Sequence, residues 1–360
     1  MKAAVCRDFG QPLQVEDVEL EHPRDGEVRI TVKACGVCHS DLTYIDGSWG
    51  GDLPAVYGHE VDGVVDEVGD GVAELKPGQR VVASLIRACG RCQPCITGEP
   101  AICVATMRLD NEAPIRDGDG RPIVQGLRTA GWAESTLLHE SQVVTIPDDI
   151  DPVAACLLGC AVITGVGAVV NTAGVMPGEG VVVIGAGGVG LNAVQGAAIA
   201  GAYPVIALDV NDRKLERASE FGATHVINAA DETAERQLKK LTSGRLADAV
   251  LVTVGASEAV EQGLRMVRRG GRLVVVGMPG GSATSRLDAT LFAYKGQRIL
   301  GSKMGSSIPK VDVPRLISLY RRGLLKLDEL VTGRYRLDQI NEAVQALKRG
   351  DGIRNVIVFS

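Results

Sequence analysis

The stretch Val181-Val182-Val183-Ile184-Gly185-Ala186-Gly187-Gly188-Val189-Gly190 decides how the second half of this chain folds. Its first four residues form a continuous apolar run, which indicates a strand covered on both faces. The rest fits the pattern GxGxxG and leads into a helical pattern at 191–200. Strand, glycine loop and helix in this order predict a dinucleotide site, because the loop lets the backbone approach a pyrophosphate that faces the helix N-terminus.

Strand and helix patterns alternate after this loop. Strand patterns at 205–208, 225–227, 249–252 and 272–276 are separated by helical patterns at 213–220, 232–241 and 258–267. The alternation predicts an α/β domain with a doubly wound parallel Rossmann sheet over residues 162–303. Asp209 ends the second of these strands. A carboxylate there accepts hydrogen bonds from ribose hydroxyls and repels a 2′-phosphate, which predicts NAD and not NADP.

The first part of the chain has the pattern of short antiparallel strands. Strand patterns lie at 2–7, 13–18, 28–34, 61–68, 79–84, 132–138 and 143–146, with turn residues between them. They predict a barrel-like domain over residues 1–161, to which residues 304–360 return. Residues 108–130 are polar and rich in Gly and Asp, so we expect a surface segment with little regular structure. Asp151-Pro152 predicts the start of a long helix.

Composition excludes several classes of protein. The net charge of −6 over 360 residues, without any basic block, disfavours nucleic-acid binding. Residues 153–178 carry no charge and are long enough to span a bilayer, but they contain Asn171 and several glycines, so we expect a buried helix and no membrane span. The absence of a signal-peptide pattern at Met1 predicts a cytoplasmic chain, in which clustered cysteines favour metal over disulfides.

The segment 89–103 contains a dense cluster of cysteines. Cys89, Cys92, Cys95 and Cys103 follow the spacing C-x2-C-x2-C-x7-C. Four thiolates this close suit a tetrahedral zinc ion with a closed coordination shell, which predicts a structural zinc lobe. An iron–sulfur cluster is the alternative, because four cysteines also ligate one.

A second group of metal-binding side chains occupies residues 38–60. It begins Cys38-His39-Ser40-Asp41 and ends Gly58-His59-Glu60, so it offers a thiolate, an imidazole and a carboxylate. The run Gly58-His59-Glu60-x2-Gly63-x5-Gly69-x2-Val72 resembles the signature of zinc-containing medium-chain alcohol dehydrogenases. Cys38, the cysteine lobe, Leu158-Gly159-Cys160 and the glycine loop occur in that family's order. The resemblance is greatest to the liver-type and thiol-dependent formaldehyde dehydrogenases, and it implies a GroES-like β-barrel catalytic domain plus a Rossmann domain.

The resemblance implies a catalytic zinc held by Cys38, His59 and Cys160, with a fourth position open to water or substrate. Glu60 would approach the metal transiently or remain a nearby charge. Asp41 would fix the ring of His59. Ser40 would hydrogen-bond the substrate oxygen and begin a proton relay, unless it is only a helix cap. Many liver-type enzymes carry a histidine where this chain has Thr43, so the relay must end differently here.

The same resemblance assigns residues to the coenzyme and the substrate. It places His39 near the pyrophosphate, Thr164 and Val189 behind the nicotinamide, and Arg354 at the phosphates. Trp49 and Leu85 would line the substrate pocket. Further coenzyme positions implied by the resemblance are Arg213, Lys214 and Val276.

The implied activity is NAD-dependent, reversible oxidation of a small alcohol to an aldehyde or ketone, with two zinc ions per subunit in a homodimer or homotetramer. One alternative is oxidation of the S-hydroxymethyl conjugate of a thiol such as glutathione or mycothiol. Another is a relative on the same fold that binds NAD or zinc without catalysis.

Overall fold

The computed structural model of the protein describes residues 1–281 and 283–359, and these form two compact units. The first unit comprises Met1–Ala161, Ile308–Tyr320 and Leu327–Ser360, and the second comprises Val162–Ser307 and Arg321–Lys326. The sequence predicted a barrel-like catalytic domain followed by a Rossmann domain. That fold class is confirmed by the sheets described below.

The first unit is built mainly from antiparallel strands. Up to residue 161 its strands are β1 (Lys2–Cys6), β2 (Gln14–Asp17), β3 (Glu19–Leu20), β4 (Glu27–Val37), β5 (Ala55–Val56), β6 (Glu60–Val68), β7 (Arg80–Ala83), β8 (Ile115–Arg116), β9 (Pro122–Gln125), β10 (Ser135–His139) and β11 (Val143–Thr145). Its helices there are α1 (His39–Ile45), α2 (Gln93–Ile96), α3 (Arg108–Asn111) and α4 (Pro152–Ala155).

Strand β4 is the longest strand and organises its sheet. It pairs antiparallel with β6 on one side, and β10 pairs with its first half. Val28, Ile30 and Val32 are buried on one face, while the residues between them are partly exposed. This is the period-2 pattern of a half-buried strand, and it delivers the chain to Cys38 at the start of α1.

Residues 108–130 are more regular than predicted. They contain α3, β8 and β9, and the two strands pair with each other and join the sheet ordered β2-β1-β5-β9-β8-β3. Ile115 and Ile123 are fully buried in the core of this unit. The prediction of little regular structure was wrong, because strands of two and four residues are too short to show alternation.

The long helix predicted from Pro152 is interrupted. After α4 the chain forms a 3-10 turn at Cys156–Gly159, leaves helical geometry at Cys160 with φ −145° and ψ −68°, and continues as helix α5 (Ala161–Gly167). Ala168–Ala173 then forms a π-helix. Within the described residues no single helix passes the length and hydropathy test for a membrane span; Pro152–Gly159 and Ala161–Ala173 pass it only together, as a bent pair. Most of the pair is buried, as predicted.

The second unit contains a parallel sheet with helices between its strands. The strands are β12 (Val181–Ile184), β13 (Val205–Asp209), β14 (His225–Asn228), β15 (Ala247–Val252), β16 (Val267–Val275) and β17 (Arg298–Gly301). The helices are α6 (Gly188–Ile199), α7 (Asp212–Glu220), α8 (Ala234–Leu241), α9 (Ser257–Met266) and α10 (Ala289–Lys295). Neighbouring strands are all parallel, and their order in the sheet is β14-β13-β12-β15-β16-β17. The chain starts at β12 and adds strands first on its β13 side and then on its β15 side. This is the doubly wound arrangement that the apolar runs predicted.

The C-terminal segment completes the first unit. It contains α11 (Pro309–Arg321), β18 (Val331–Tyr335), α12 (Ile340–Lys348) and β19 (Arg354–Val358). Strand β19 pairs antiparallel with the end of β4, with Asn355 opposite Val37. This pairing places Arg354, the first residue of β19, beside the end of β4 that leads to Cys38.

Arg87 is a fully buried cation that ties several loops of the first unit together. Its guanidinium donates to Gln142 Oε1 at 2.8 Å, Gln125 Oε1 at 2.8 Å and Asp110 Oδ1 at 3.0 Å. It also donates to the carbonyl oxygen of Arg128 at 3.0 Å. Burial lowers the pKa of Arg87 to about 10, although Asp110 opposes this shift. A buried charge of this kind is tolerated only while its hydrogen bonds are formed.

We expect Arg87→Met to destabilise the first unit by about 3–5 kcal/mol, because the substitution leaves buried acceptors without a donor. The measurement is denaturant unfolding, followed with the metal content held constant. Arg121→Met is the matched control, since that side chain is 71% exposed and has a single ion pair with Asp119. Equal stability of the two variants would show that the network contributes nothing.

Candidate active site

Asp41 joins the two parts of the stretch 38–60. It is the third residue of α1 and is fully buried. Its carboxylate accepts hydrogen bonds from the Cys38 amide, the Gly58 amide and His59 Nδ1, each at 3.0 Å. Because Nδ1 donates to Asp41, the lone pair of His59 Nε2 is left as the ligand atom.

Cys160 completes the group from the break between α4 and α5. His59 Nε2 lies 3.3 Å from Cys160 Sγ. The ligand atoms of Cys38, His59, Glu60 and Cys160 all lie within 4.8 Å of one another, and all four residues are buried. Two thiolates and an imidazole are the donors that zinc takes in open catalytic sites. The donor set and its spacing therefore fit a zinc ion.

The pKa values of the two thiols in this group, Cys38 and Cys160, shift in opposite directions. A hydrogen bond from Cys160 lowers the pKa of Cys38 well below its ordinary value; burial opposes this, and the charge of Arg354 adds to it. A thiolate is the form that binds metal. The neighbouring thiol and the charge of Arg354 therefore favour the anionic form of Cys38 that a metal ion would bind.

Glu60 lies beside the side chains of Cys38, His59 and Cys160, and its own carboxylate oxygens are not hydrogen-bonded. Neither carboxylate oxygen has a hydrogen-bond partner among the described residues, and Arg354 lies 3.8 Å away. Burial raises the pKa of Glu60 to about 7, although Arg354 opposes the shift. Gly36 makes room for this side chain, since a Cβ there would overlap Glu60. The position of Glu60 fits two roles equally well, that of a fourth metal ligand and that of a charge close to the metal ligands.

The residues predicted for proton transfer lie on α1. Ser40 Oγ lies 3.9 Å from Cys38 Sγ, next to the donors. The hydroxyl of Thr43 donates to the carbonyl oxygen of His39 at 2.9 Å, one helical turn back. Since its proton is used within the helix, Thr43 can only accept a further hydrogen bond. His39 itself is exposed on the first turn.

The two residues predicted for the substrate pocket are partly buried. The Trp49 ring packs edge-to-face against Tyr44, with ring centroids 5.3 Å apart. Leu85 follows strand β7 and is partly exposed.

The cysteine lobe forms a second group of sulfur donors. The sulfurs of Cys89, Cys92, Cys95 and Cys103 lie within 4.8 Å of one another. Amides of Arg91 and Cys92 donate to Cys89 Sγ at 3.5 and 3.3 Å. Backbone hydrogen bonds lower the pKa of Cys92 to about 6. Amide donors around sulfur favour thiolates, as a metal site requires.

The glycine loop of the second unit combines a left-handed turn, an open stretch of backbone and a close contact between helix and strand. Gly185 has a φ of +99°, which L side chains rarely adopt. A Cβ on Gly187 would meet nothing within 4 Å, so the backbone is open to a ligand there. A Cβ on Gly190 would overlap the Gly185 carbonyl, so only glycine lets helix α6 start this close to the strand.

Asp209 ends β13 next to this loop. Its carboxylate accepts from the Ala186 amide at 2.7 Å and from the Asn211 amide at 2.9 Å. These two bonds fix the acid beside the loop. On the following helix, α7, Arg213 is exposed and Lys214 is partly buried. Val276, after β16, donates its amide to the Val252 carbonyl at 2.9 Å.

Thr164 and Val189 lie near each other in the second unit. A Cβ on Gly165 would contact the Val189 carbonyl, so α5 packs closely on the start of α6. The Thr164 hydroxyl donates to Met304 Sδ at 3.8 Å. Met304 was not predicted from the sequence, and neither was Thr253, whose hydroxyl donates to the carbonyls of Ile184 and Gly185 at 3.0 and 2.9 Å. Neither contact has a local signal, because the partners are far apart in the sequence.

Two family models match the chain. The family model described as zinc-binding dehydrogenase matches residues 188–322. The model described as alcohol dehydrogenase GroES-like domain matches residues 24–148.

Relatives align over nearly the whole chain. The NDMA-dependent alcohol dehydrogenase of Amycolatopsis methanolica is 40% identical, covering 100% of this chain and 99% of its own. The S-(hydroxymethyl)glutathione dehydrogenase of Paracoccus denitrificans is 34% identical, covering 99% of each. Among solved structures, the benzyl alcohol dehydrogenase of Acinetobacter calcoaceticus superposes with a TM-score of 0.92 at 32% identity, covering 100% of this chain and 99% of its own. Identity at this level over the full length shows common descent, and the chain therefore belongs to the zinc-containing alcohol dehydrogenase family of medium-chain dehydrogenases.

Proposed function

We propose that the protein catalyses reversible hydride transfer between an alcohol and NAD, which gives an aldehyde or ketone. The observation that carries the proposal is the buried donor set of Cys38, His59 and Cys160. Zinc held by such a set supplies Lewis-acid chemistry, which acidifies an alcohol and polarises a carbonyl. Glu60 is close enough to act as a fourth donor, and Asp41 holds His59 in the tautomer that the metal requires.

Ser40 is the residue that we assign to proton transfer. Its hydroxyl lies beside Cys38 on the first turn of α1, where it can accept a proton from an alcohol and pass it on. Thr43 does not pass the proton on, because its hydroxyl already donates to the helix backbone. We infer that water and the ribose hydroxyls of the coenzyme continue the relay.

NAD is the coenzyme that the second unit suits best. The open backbone at Gly187 suits a pyrophosphate, and the helix α6 that follows directs its free amides towards it. Asp209, fixed beside the loop, suits ribose hydroxyls and disfavours the phosphate of NADP. The relative from Amycolatopsis methanolica is named for dependence on NDMA, so the acceptor has to be tested directly.

A thiol-dependent reaction is the second candidate. It is supported by the relative from Paracoccus denitrificans, which is named S-(hydroxymethyl)glutathione dehydrogenase and is 34% identical. The substrate of such an enzyme is a hemithioacetal, which is also an alcohol. The same donor set and Ser40 would serve both substrates, so only added thiol separates the two candidates.

We also infer that the chain assembles into a homodimer or homotetramer through β17. This strand lies at the edge of the parallel sheet and leaves Ile299 42% exposed. Unpaired edge strands that carry apolar side chains are ready to pair with another chain.

We expect the purified protein to oxidise simple alcohols with NAD and to prefer NAD over NADP by about tenfold or more, because Asp209 repels the extra phosphate. The measurement is a panel of alcohols and aldehydes with NAD, NADP or NDMA as acceptor, each with and without glutathione or mycothiol. Formaldehyde turnover that requires added thiol would favour the second candidate. No turnover of any alcohol with any acceptor, in protein that carries zinc and NAD, would favour a non-catalytic relative.

Ser40→Ala should lower kcat by about 100-fold or more while the zinc content is unchanged, because the substitution removes the proton acceptor and no metal ligand. Steady-state kinetics and elemental analysis of the same sample test this. Ser48→Ala is the control, since Ser48 follows α1 and is exposed. Near-normal turnover in Ser40→Ala would remove this residue from the mechanism.

We propose that the cysteine lobe holds a second, structural zinc ion. The protein should then contain about two zinc ions per chain. Cys92→Ser should lower this to about one and reduce thermal stability, whereas Cys160→Ser should remove the other zinc together with turnover.

Elemental analysis and thermal unfolding test this assignment, with Cys6→Ala as a control at a buried cysteine outside both groups. Iron in the protein, with visible absorbance that Cys92→Ser abolishes, would assign the lobe to an iron–sulfur cluster instead.

A further inference from the structure

The second unit contains a cluster of three hydroxyl groups to which the proposed reaction assigns no role. The hydroxyl of Thr172 lies 2.7 Å from Ser302 Oγ and 2.9 Å from Ser306 Oγ, within hydrogen-bond distance of both. Thr172 belongs to the π-helix Ala168–Ala173, whereas the two serines lie in the segment that follows β17. Ser302 is buried, and the other two residues are partly buried. The cluster therefore joins two segments that are far apart in the chain.

The segment between the two serines has a strained backbone. Met304, Gly305 and Ser306 have φ values of 51°, 67° and 49°. Two of these residues carry side chains, which disfavour this left-handed region. Such a conformation persists only where the surrounding structure holds it, and it is frequent at ligand-binding sites. We call residues 302–307 the left-handed turn.

Contacts with α5 and the π-helix hold the left-handed turn in place. The Ser307 hydroxyl donates to the Ile163 carbonyl at 3.1 Å, and Asn171 Nδ2 donates to the Gly305 carbonyl at 3.3 Å. A Cβ on Gly167 would overlap that same Gly305 carbonyl, so the two backbones meet without an intervening side chain. The conformation of the turn therefore depends on these two helical segments.

The left-handed turn borders the part of the second unit where the nicotinamide is expected. The Thr164 hydroxyl donates to Met304 Sδ at 3.8 Å, and both side chains are buried. The Ser302 amide donates to the carbonyl of Val275, the residue before Val276, at 2.9 Å. The family resemblance assigns Thr164 and Val276 to the coenzyme, and ligands of parallel sheets bind at the carboxyl ends of the strands. A shift of the turn would therefore move residues beside the nicotinamide.

The hydroxyl cluster fixes a direction that an apolar contact would not fix. The Thr172 hydroxyl has one proton and two lone pairs, so it bonds both serines only in a defined geometry. Hydrogen bonds in series also strengthen one another. A valine at this position would fill the same space, but it would leave both ends of the left-handed turn without these hydrogen bonds.

We propose that Thr172 is a positioning residue for the nicotinamide half of the coenzyme. Its hydroxyl holds Ser302 and Ser306, and thereby keeps Met304 against Thr164. The inference rests on the proposed use of NAD. Other residues, in the glycine loop and at Asp209, are expected to bind the pyrophosphate and the adenosine ribose. The effect of Thr172 should therefore be confined to the nicotinamide end of the dinucleotide.

Thr172→Val tests this role, because it keeps the shape of the side chain and removes the hydroxyl. In isothermal titration of the zinc-loaded protein, we expect NADH to bind about fivefold more weakly to this variant than to the wild type. ADP-ribose, which lacks the nicotinamide, should change by less than about twofold. Thr172→Ser keeps the hydroxyl and should restore the wild-type affinity for NADH.

Thr242→Val is the matched control in the same unit. The Thr242 side chain is buried, and its hydroxyl donates to the Leu238 carbonyl at the end of α8, outside the cluster. This variant loses a buried hydroxyl without any change at the left-handed turn. It should therefore bind NADH and ADP-ribose like the wild type.

Equal weakening of NADH and ADP-ribose in Thr172→Val would show a general structural effect and overturn the positioning role. An unchanged affinity for both compounds would also overturn it. Circular dichroism shows whether the variant is folded. If it is not, Ser306→Ala removes the partner hydroxyl on the turn and should give the same selective loss of NADH affinity.

The wild type separates failure of this inference from failure of the proposed function. A wild type that binds neither compound would overturn the NAD assignment and the positioning role together. A wild type that binds NADH more tightly than ADP-ribose would support the coenzyme assignment. In that case, a Thr172→Val variant with the same preference would overturn the positioning role alone. None of these measurements requires turnover of an alcohol.

Discussion

The carboxylate of Asp41 is the constraint on which the metal-binding group depends. It accepts three hydrogen bonds, from the amides of Cys38 and Gly58 and from the ring of His59. These bonds connect the end of one strand, the start of a short helix and the turn before another strand. Without them two of the three protein ligands would have no fixed relation to each other. Because Asp41 is buried, its charge is tolerable only when all these donors are present.

Irregular backbone brings the remaining groups into place. Cys160 faces the donors because the chain leaves helical geometry there, between α4 and α5. Glu60 has room because Gly36 has no side chain, and Arg354 is brought beside it by the pairing of β19 with β4. The metal-binding side chains of the first unit thus lie at strand ends and at a helix break, and the regular strands hold them in position. In the second unit, the glycine loop has the same role between β12 and α6.

In each sulfur group, local contacts lower the pKa of at least one thiol. In the lobe, backbone amides lower the pKa of Cys92, and at the buried group a neighbouring thiol and Arg354 lower that of Cys38. The surroundings differ, since the lobe is partly exposed while Cys38 and Cys160 are buried. Four thiols suit a closed metal shell, whereas two thiols and an imidazole leave one position of a tetrahedral shell for another ligand.

The sequence by itself determined the fold class, because its decisive signals are local. Apolar runs such as Val181–Ile184, the glycine spacing and the cysteine spacing follow from periodicity and ligand geometry within a few residues. The helix predicted through Cys160 was wrong because the chain there packs against distant strands, with Gly159 close to Ala83 and Glu60. The irregular segment predicted at 108–130 was wrong because its strands are too short to show alternation. Only the tertiary structure showed that the Thr43 hydroxyl donates to the helix backbone and that the carboxylate oxygens of Glu60 are buried without a hydrogen bond. Each of these depends on which atoms meet in three dimensions, and no pattern in the sequence encodes that.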